Sequence, residues 1–294
     1  MRLPAERLPG KHGGSFFIYL KLGSIFIDFT KIRLFLFDMD GTLYLGDELF
    51  PFTKPLLETI RKAGKTYLFM TNNSSKSVLD YVAKMERLGI PAEYDDFITS
   101  SQATADYLMK NHPGVKFYVC GTESFKTELA RAGVRVRDVY SEDIGGVVMG
   151  YDTELTYRKL DDVSKLLTLF DIPYIAANPD FVCPTEYGYV PDCGSVCGMI
   201  YNATGKNPRY IGKPRPEMPL AAVERIRKKD PAVSCGTALV VGDRLYTDIA
   251  CGVAAGIHSL LVLSGESTLS DVEKSDVKPE FIMRDCAELL EKIQ

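Results

Sequence analysis

Asp38 and Asp40 stand two positions apart in LFLFDMDGTLYLG (34–46), directly after an apolar run. Carboxylates placed there can hold a cation or attack an electrophile. Asp and Gly also punctuate ordinary turns, so an isolated Asp-x-Asp-Gly says little by itself. Three further polar clusters follow apolar runs in the same way. Thr71-Asn72-Asn73 follows YLFM, Gly212-Lys213-Pro214 follows RYI, and Gly242-Asp243-Arg244 follows ALVV with Asp248 just beyond. In open α/β sheets ligands bind outside the carboxyl ends of the strands. Strands sharing one parallel sheet would therefore gather these groups at one edge.

Gathered there, the groups suffice for phosphoryl transfer. A carboxylate nucleophile splits hydrolysis into two easier steps through an aspartyl-phosphate. Crowded carboxylates repel by roughly 4 kcal/mol per pair at 4 Å and an effective dielectric near 20. A divalent cation removes that cost, and hard oxygen donors beside a phosphate suit Mg²⁺. Lys213 adds a positive point charge, while the Thr71 hydroxyl and the amides after it, beginning at Asn72, can bind the remaining phosphate oxygens. Asp40 can protonate a leaving alcohol and then activate water. From a reference value near 3.9 it needs an upward pKa shift to act as an acid.

The elements that must position these residues are legible as alternating strands and helices. IRLFLF (32–37), TYLFM (66–70), KFYVC (116–120), GVVMG (146–150), PYIAA (173–177), ALVV (238–241) and SLLVL (259–263) read as buried parallel strands. A helix opens at Thr53-Lys54-Pro55 and stops at Gly64, with Leu56, Leu57 and Ile60 on one face. Another opens near Ser74–Ser75, turns Val78, Val82 and Met85 inward, and stops at Gly89. Thr71–Ser74 is expected both to cap that helix and to bind phosphate. The alternation predicts an α/β fold on a parallel sheet.

Composition narrows the function classes. A chain of 294 residues, 46% of them hydrophobic, is long enough for about two globular domains. A net charge of −4 gives no basic footprint for nucleic acid. Seven Cys form an odd set without framework spacing, which points to reduced thiols in a cytoplasm; Cys193-x-x-x-Cys197 lacks the partners of a zinc site. His12, His112 and His258 have no partners in sequence. Residues 1–30 are turn-rich and basic at the start, then apolar in two stretches interrupted at Lys21 and Asp28. Both stretches fall short of the ~18 residues of a membrane span, so an accessory strand or loose extension is expected and no membrane partner.

At these positions the sequence resembles the haloacid dehalogenase superfamily of phosphatases. Asp-Met-Asp-Gly-Thr matches its first motif, Thr71 its second, Lys213 its third and Gly242-Asp243 with Asp248 its fourth. The resemblance implies that Asp38 is the nucleophile and Asp40 the acid/base. It implies that Thr71 and Lys213 orient phosphate. It also implies Mg²⁺ held by the carboxylates of Asp38 and Asp243 and the Asp40 carbonyl, with Asp248 supporting through water. The step of 142 positions from Thr71 to Lys213 is too long for a loop. The implied architecture is a three-layer Rossmann-like core (31–111 and 207–294) with an inserted α/β cap (112–206).

The segment NPDFVCPTEYGYVPDCGS (178–195), with TNNSS and GKPRPEM, is similar to the NagD-like, p-nitrophenylphosphatase subgroup. That implies small phosphomonoester substrates such as nucleoside monophosphates or sugar phosphates. It further implies cap contacts from Asn178, Asp180, Gly194 and Ser195, and assembly as a homo-oligomer. Tyr187 and Tyr189 fit cap core and substrate stacking equally. A phosphotransferase or phosphomutase would keep the same four motifs. A receiver-type phospho-acceptor switch, the non-enzymatic alternative, is much smaller, carries its paired acids before the acceptor Asp and has no long insert.

Overall fold

A computed structural model of the chain describes residues 28–185 and 187–293. The extension through residue 27, read above as a strand or loose segment, lies outside the described residues. The chain first forms β1 (Leu34–Phe37), a small hairpin of β2 (Tyr44–Leu45) and β3 (Glu48–Leu49), α1 (Thr53–Lys62), β4 (Thr66–Thr71), α2 (Val78–Arg87), β5 (Phe97–Thr99) and α3 (Ser100–Asn111). A second unit follows with β6 (Lys116–Cys120), α4 (Glu123–Arg131), β7 (Arg135–Arg137), β8 (Gly146–Met149), α5 (Tyr157–Leu169) and β9 (Tyr174–Ala176). It continues through the hairpin β10 (Val182–Thr185) and β11 (Gly188–Pro191), then α6 (Cys193–Thr204) and β12 (Arg209–Tyr210). The chain returns with α7 (Glu217–Arg227), β13 (Ala238–Gly242), α8 (Ala250–Ala255), β14 (His258–Val262), α9 (Leu269–Lys274), β15 (Phe281–Met283) and α10 (Cys286–Ile293).

Two parallel sheets result, ordered β15-β14-β13-β1-β4-β5 in the core and β12-β9-β8-β6-β7 in the cap. β1 is central and buried at all four positions because its residues face apolar layers on both sides. Phe35 and Phe37 pack with Leu56 and Ile60 of α1 and Leu289 of α10, whereas Leu34 and Leu36 pack with Met218 and Ala222 of α7. That alternation makes the core three-layered. The cap repeats the scheme, with Val147 and Met149 facing α5 and α6 and Val148 facing α4.

Several expectations need correction. β12, the strand leading to Lys213, pairs with β9 of the cap sheet, so Lys213 does not follow a core strand and the chain re-enters the core after Tyr210, later than residue 207. The helix expected at Ser74–Ser75 begins at Val78. Ser77 and Asp80 form its capping box, because Asn73 bends the preceding segment by accepting from Ser75 N (2.9 Å) and Ser75 Oγ (2.7 Å). Phe29 is buried with its ring 5.1 Å from that of Phe281, so core packing starts before residue 31. Tyr187 and Tyr189 are exposed at the β10–β11 hairpin and belong to no core. The short strands β5, β7 and β15 went unread, since three residues carry too little periodicity.

Candidate active site

The site forms where β1, β4 and β13 end side by side. Asp38 N–H donates to Val241 O at 2.8 Å, extending the ladder one residue past β1 and setting the Asp38 carboxylate at the sheet edge. Asp243 follows β13, and Thr71 closes β4. Lys213 enters from the cap side and is buried. Its Nζ donates to Asp38 Oδ1 (2.6 Å), Asp248 Oδ1 (2.6 Å) and Met70 O (3.2 Å), which uses all three ammonium hydrogens. Carboxylate oxygens of Asp38, Asp243 and Asp248 all lie within 4.8 Å of one another.

Three carboxylates so close, with one lysine between them, are under-compensated. Burial, then Asp248, pushes the Asp38 carboxyl up to about 8 despite Lys213, and burial with Asp248 takes Asp243 to about 7. Lys213 is held above its ordinary value by Asp248 and Asp38, against the effect of its own burial. Asp248 is fixed by Arg244 N–H at 3.1 Å. Asp243 Oδ2 accepts from Glu266 N at 2.7 Å, while its buried Oδ1 has no hydrogen-bond partner. Gly41, at φ +81°, lets the Asp-Met-Asp-Gly turn come close: a Cβ there would lie 2.5 Å from Asp243 Oδ2.

Asp40 stands outside this cluster, exposed, with its carboxylate bonded to Gly46 N–H and its backbone bridged to Tyr44. Partial desolvation raises it, opposed first by Lys84, whose ammonium lies 4.0 Å above the Tyr44 ring. Thr71 Oγ1 accepts from Asn73 N–H at 3.2 Å, and Tyr81 braces the same loop by donating to Asn73 O at 3.0 Å. Asn72, whose backbone amide is the group expected at the phosphate, has its side chain bonded to Lys213 N–H, Lys213 O and Asp180 Oδ2.

A cavity of about 220 Å³ joins these groups to the cap. Of the four cap candidates only Asp180 lines it. Asn178 is fully buried and donates to Asp180 Oδ2 and Asp192 Oδ1, both at 3.0 Å. Gly194 donates to Asp180 O and packs so closely that a Cβ would meet Pro179 O at 2.2 Å. Ser195 donates to Phe181 O at 2.5 Å. These three shape the wall that carries Asp180 rather than facing the cavity. The wall also contains Asp192, Val182, Cys183 and Pro184 from the cap and Lys76, Lys84 and Tyr81 from the core, none of them a sequence candidate, together with Arg244 of the cluster after ALVV. Asp192 alone had a signal, an Asp at the N-cap before Cys193.

Residues 35–135 match the haloacid dehalogenase-like hydrolase family, and residues 210–289 match the HAD-hydrolase-like family. An acid sugar phosphatase of Staphylococcus aureus is 31% identical over 90% of this chain and 99% of its own length. A 4-nitrophenylphosphatase from Thermotoga maritima aligns at a TM-score of 0.83 with 38% identity, over 92% of this chain and 100% of that one. A glycerol phosphate phosphatase from Mycobacterium tuberculosis, solved with magnesium, aligns at 0.80 with 31% identity, over 90% of this chain and 78% of that one. The chain belongs to the haloacid dehalogenase-like hydrolases. Within them it is a NagD-like phosphatase, a phosphoric monoester hydrolase.

The residues of this haloacid dehalogenase-like hydrolase fit a hard divalent cation. The donor set is all oxygen, and Asp243 Oδ1 is a buried acceptor with no protein donor to satisfy it. The seven cysteines are unpaired, Cys193 and Cys197 among them. His258 is paired with Glu280 at 2.7 Å. Among the described residues no helix is long and apolar enough to cross a membrane.

Proposed function

We propose that this hydrolase is a Mg²⁺-dependent phosphatase of small phosphomonoesters, sugar phosphates among them, acting in the cytoplasm through a phosphorylated Asp38. The observation that carries the reading is Lys213 Nζ at 2.6 Å from both Asp38 and Asp248 at the carboxyl edge of the core sheet. Lys213 holds Asp38 by Oδ1 and leaves Oδ2 to attack phosphorus. The bond from phosphorus to the ester oxygen breaks, and Asp40 gives its proton to the departing alkoxide. Asp40, now ionised, takes a proton from water, which attacks the aspartyl-phosphate and frees phosphate and Asp38. Thr71 Oγ1 and the amides of the following loop hold the phosphoryl oxygens throughout, and the Lys213 ammonium offsets their charge. Asp38, Asp243 and Asp248 would hold Mg²⁺, which neutralises charge on the transferring group when bound.

The cap wall supports the substrate class. A cavity of about 220 Å³ admits only a small leaving group, and Asp180 and Asp192 offer acceptors for its hydroxyls. The test is phosphate release from a panel of sugar, polyol and nucleoside monophosphates and nitrophenyl phosphate, with Mg²⁺ and with chelator. Magnesium-dependent release carries the reading; release unaffected by chelator, or none from any ester, overturns it.

A further inference from the structure

We propose that Asn72 is a positioning residue for Lys213, and that its third hydrogen bond, to Asp180, couples the closed cap to this same residue as a latch. The inference rests on the reading of Lys213 as the phosphate-orienting cation.

Lys213 has an unusual placement problem. Its ammonium works in the core, yet the chain leading to it is cap: Ile211 N–H donates to Ala176 O (3.0 Å) and Gly212 N–H to Ala177 O (2.8 Å), continuing the pairing of β12 with β9. No core strand runs beside Lys213 to fix its backbone. Asn72 supplies the missing rung. Its Oδ1 accepts from Lys213 N–H at 2.8 Å and its Nδ2 donates to Lys213 O at 2.9 Å, a reciprocal pair across 141 positions. Asn72 is itself fixed in the core, at the end of β4, where Ser100 Oγ donates to its carbonyl at 2.7 Å. Gly212 permits the approach, since a Cβ there would lie 2.5 Å from Asn72 Oδ1.

The other Nδ2 hydrogen goes to Asp180 Oδ2 at 2.8 Å, across the boundary between core and cap. Asp180 is anchored on the cap side by Asn178 Nδ2 and by Gly194 N–H on its carbonyl. Its second oxygen, Oδ1, is buried without a partner. When the cap lifts, Asn72 and Asp180 both exchange this contact for water at little net cost. The contact therefore suits a reversible latch. The pair with Lys213 stays with the core, so cap motion need not drag the ammonium away from Asp38.

Asn72→Asp tests both arms. It is isosteric and keeps an acceptor for Lys213 N–H, but it loses both donations and faces Asp180 with a like charge. With nitrophenyl phosphate and Mg²⁺, kcat should fall about tenfold or more, and inhibition by inorganic phosphate should weaken comparably, as for a catalytic group misplaced by a fraction of an ångström. Amide hydrogen exchange over residues 209–216 should speed up. Asp180→Leu cuts the latch and the Asn178 bond; with nitrophenyl phosphate, whose leaving group has no hydroxyl to donate to Asp180, it should raise KM while kcat stays within about threefold. Combining Asn72→Asp with Asp180→Asn restores a donor–acceptor pair in the opposite sense, and should recover KM without recovering kcat.

Wild-type kcat, phosphate inhibition and exchange in Asn72→Asp would overturn the positioning role. A fall in kcat for Asp180→Leu with KM unchanged would overturn the coupling. If Asn72→Asp does not fold, Asp180→Leu still decides the coupling and Asn72→Ser the positioning. If the wild-type protein hydrolyses nothing, the functional reading fails, and exchange over 209–216 in the variants still decides the tether.

Discussion

Lys213 and Asp248 meet at 2.6 Å with their side chains 2% and 0% exposed, a buried ion pair whose lysine also holds Asp38. Such a pair adds little net stability, because desolvation offsets its attraction, but breaking it leaves charge stranded. Lys213→Met would strand three carboxylates. It should lower kcat by about 10² or more and cost on the order of 3 kcal/mol of stability. Steady-state kinetics beside thermal melts measures both. Turnover within threefold of wild type would remove Lys213 from the phosphate site.

The acid cluster links stability to pH and to magnesium. The Asp38 carboxyl lies near 8 in the folded protein and near 3.9 in the unfolded chain, so the folded state holds the proton more tightly between those values. Stability from this group is complete below about pH 4 and is lost as pH rises through 8. Without metal, the wild type should therefore weaken from pH 5 to pH 8, by a few kcal/mol at most, and Asp38→Asn should flatten the slope while abolishing turnover. Mg²⁺ prefers the ionised cluster, so its elevation of Tm should be larger at pH 8 than at pH 5. An equal elevation at both values would separate the cluster from metal binding.

Asp40→Asn should discriminate between leaving groups. Nitrophenolate departs without a proton, whereas a sugar alkoxide needs one. With nitrophenyl phosphate the variant should give a burst of nitrophenol equal to the enzyme present, then slow turnover limited by water attack. With a sugar phosphate the first step itself should slow by about 10²–10⁴. Rapid-quench measurement of the burst reads this directly, and equal slowing for both esters without a burst would place Asp40 elsewhere in the mechanism.

Asp192 gives a second, metal-independent pH effect. Burial raises its carboxyl to about 6, although Asn178 and Cys193 N–H oppose the shift. Its contribution is complete below about pH 4 and is lost as pH rises through 6. Asp192→Asn keeps an acceptor for both donors and cannot ionise. It should stabilise the protein at pH 7.5 relative to pH 4 by on the order of 1–3 kcal/mol, read as a pH-dependent difference in Tm.

What the sequence by itself determined was chemistry and its order along the chain. LFLF ending in Asp38, YLFM ending in Thr71 and ALVV ending in Asp243 are local patterns, and buried parallel strands leave little freedom in how they align. The insertion was equally legible, because 142 positions cannot be a loop. Only the tertiary structure decided where Lys213 comes from. RYI reads like any other strand, and which sheet it joins depends on β9, more than thirty residues away. The same holds for the cap: Asn178, Gly194 and Ser195 share a segment with Asp180, but Asn178 is turned toward Asp180 and Asp192 and Ser195 toward Phe181 O by hydrogen bonds, and Gly194 lies close against Pro179 O. Asn72 shows the boundary between the two kinds of knowledge. Its neighbour Thr71 marked it as a phosphate-loop residue, and the fold turned its side chain toward a backbone 141 positions away. Hydrogen bonds of that reach follow from the assembled topology, since no local pattern encodes which distant backbone group an amide will meet.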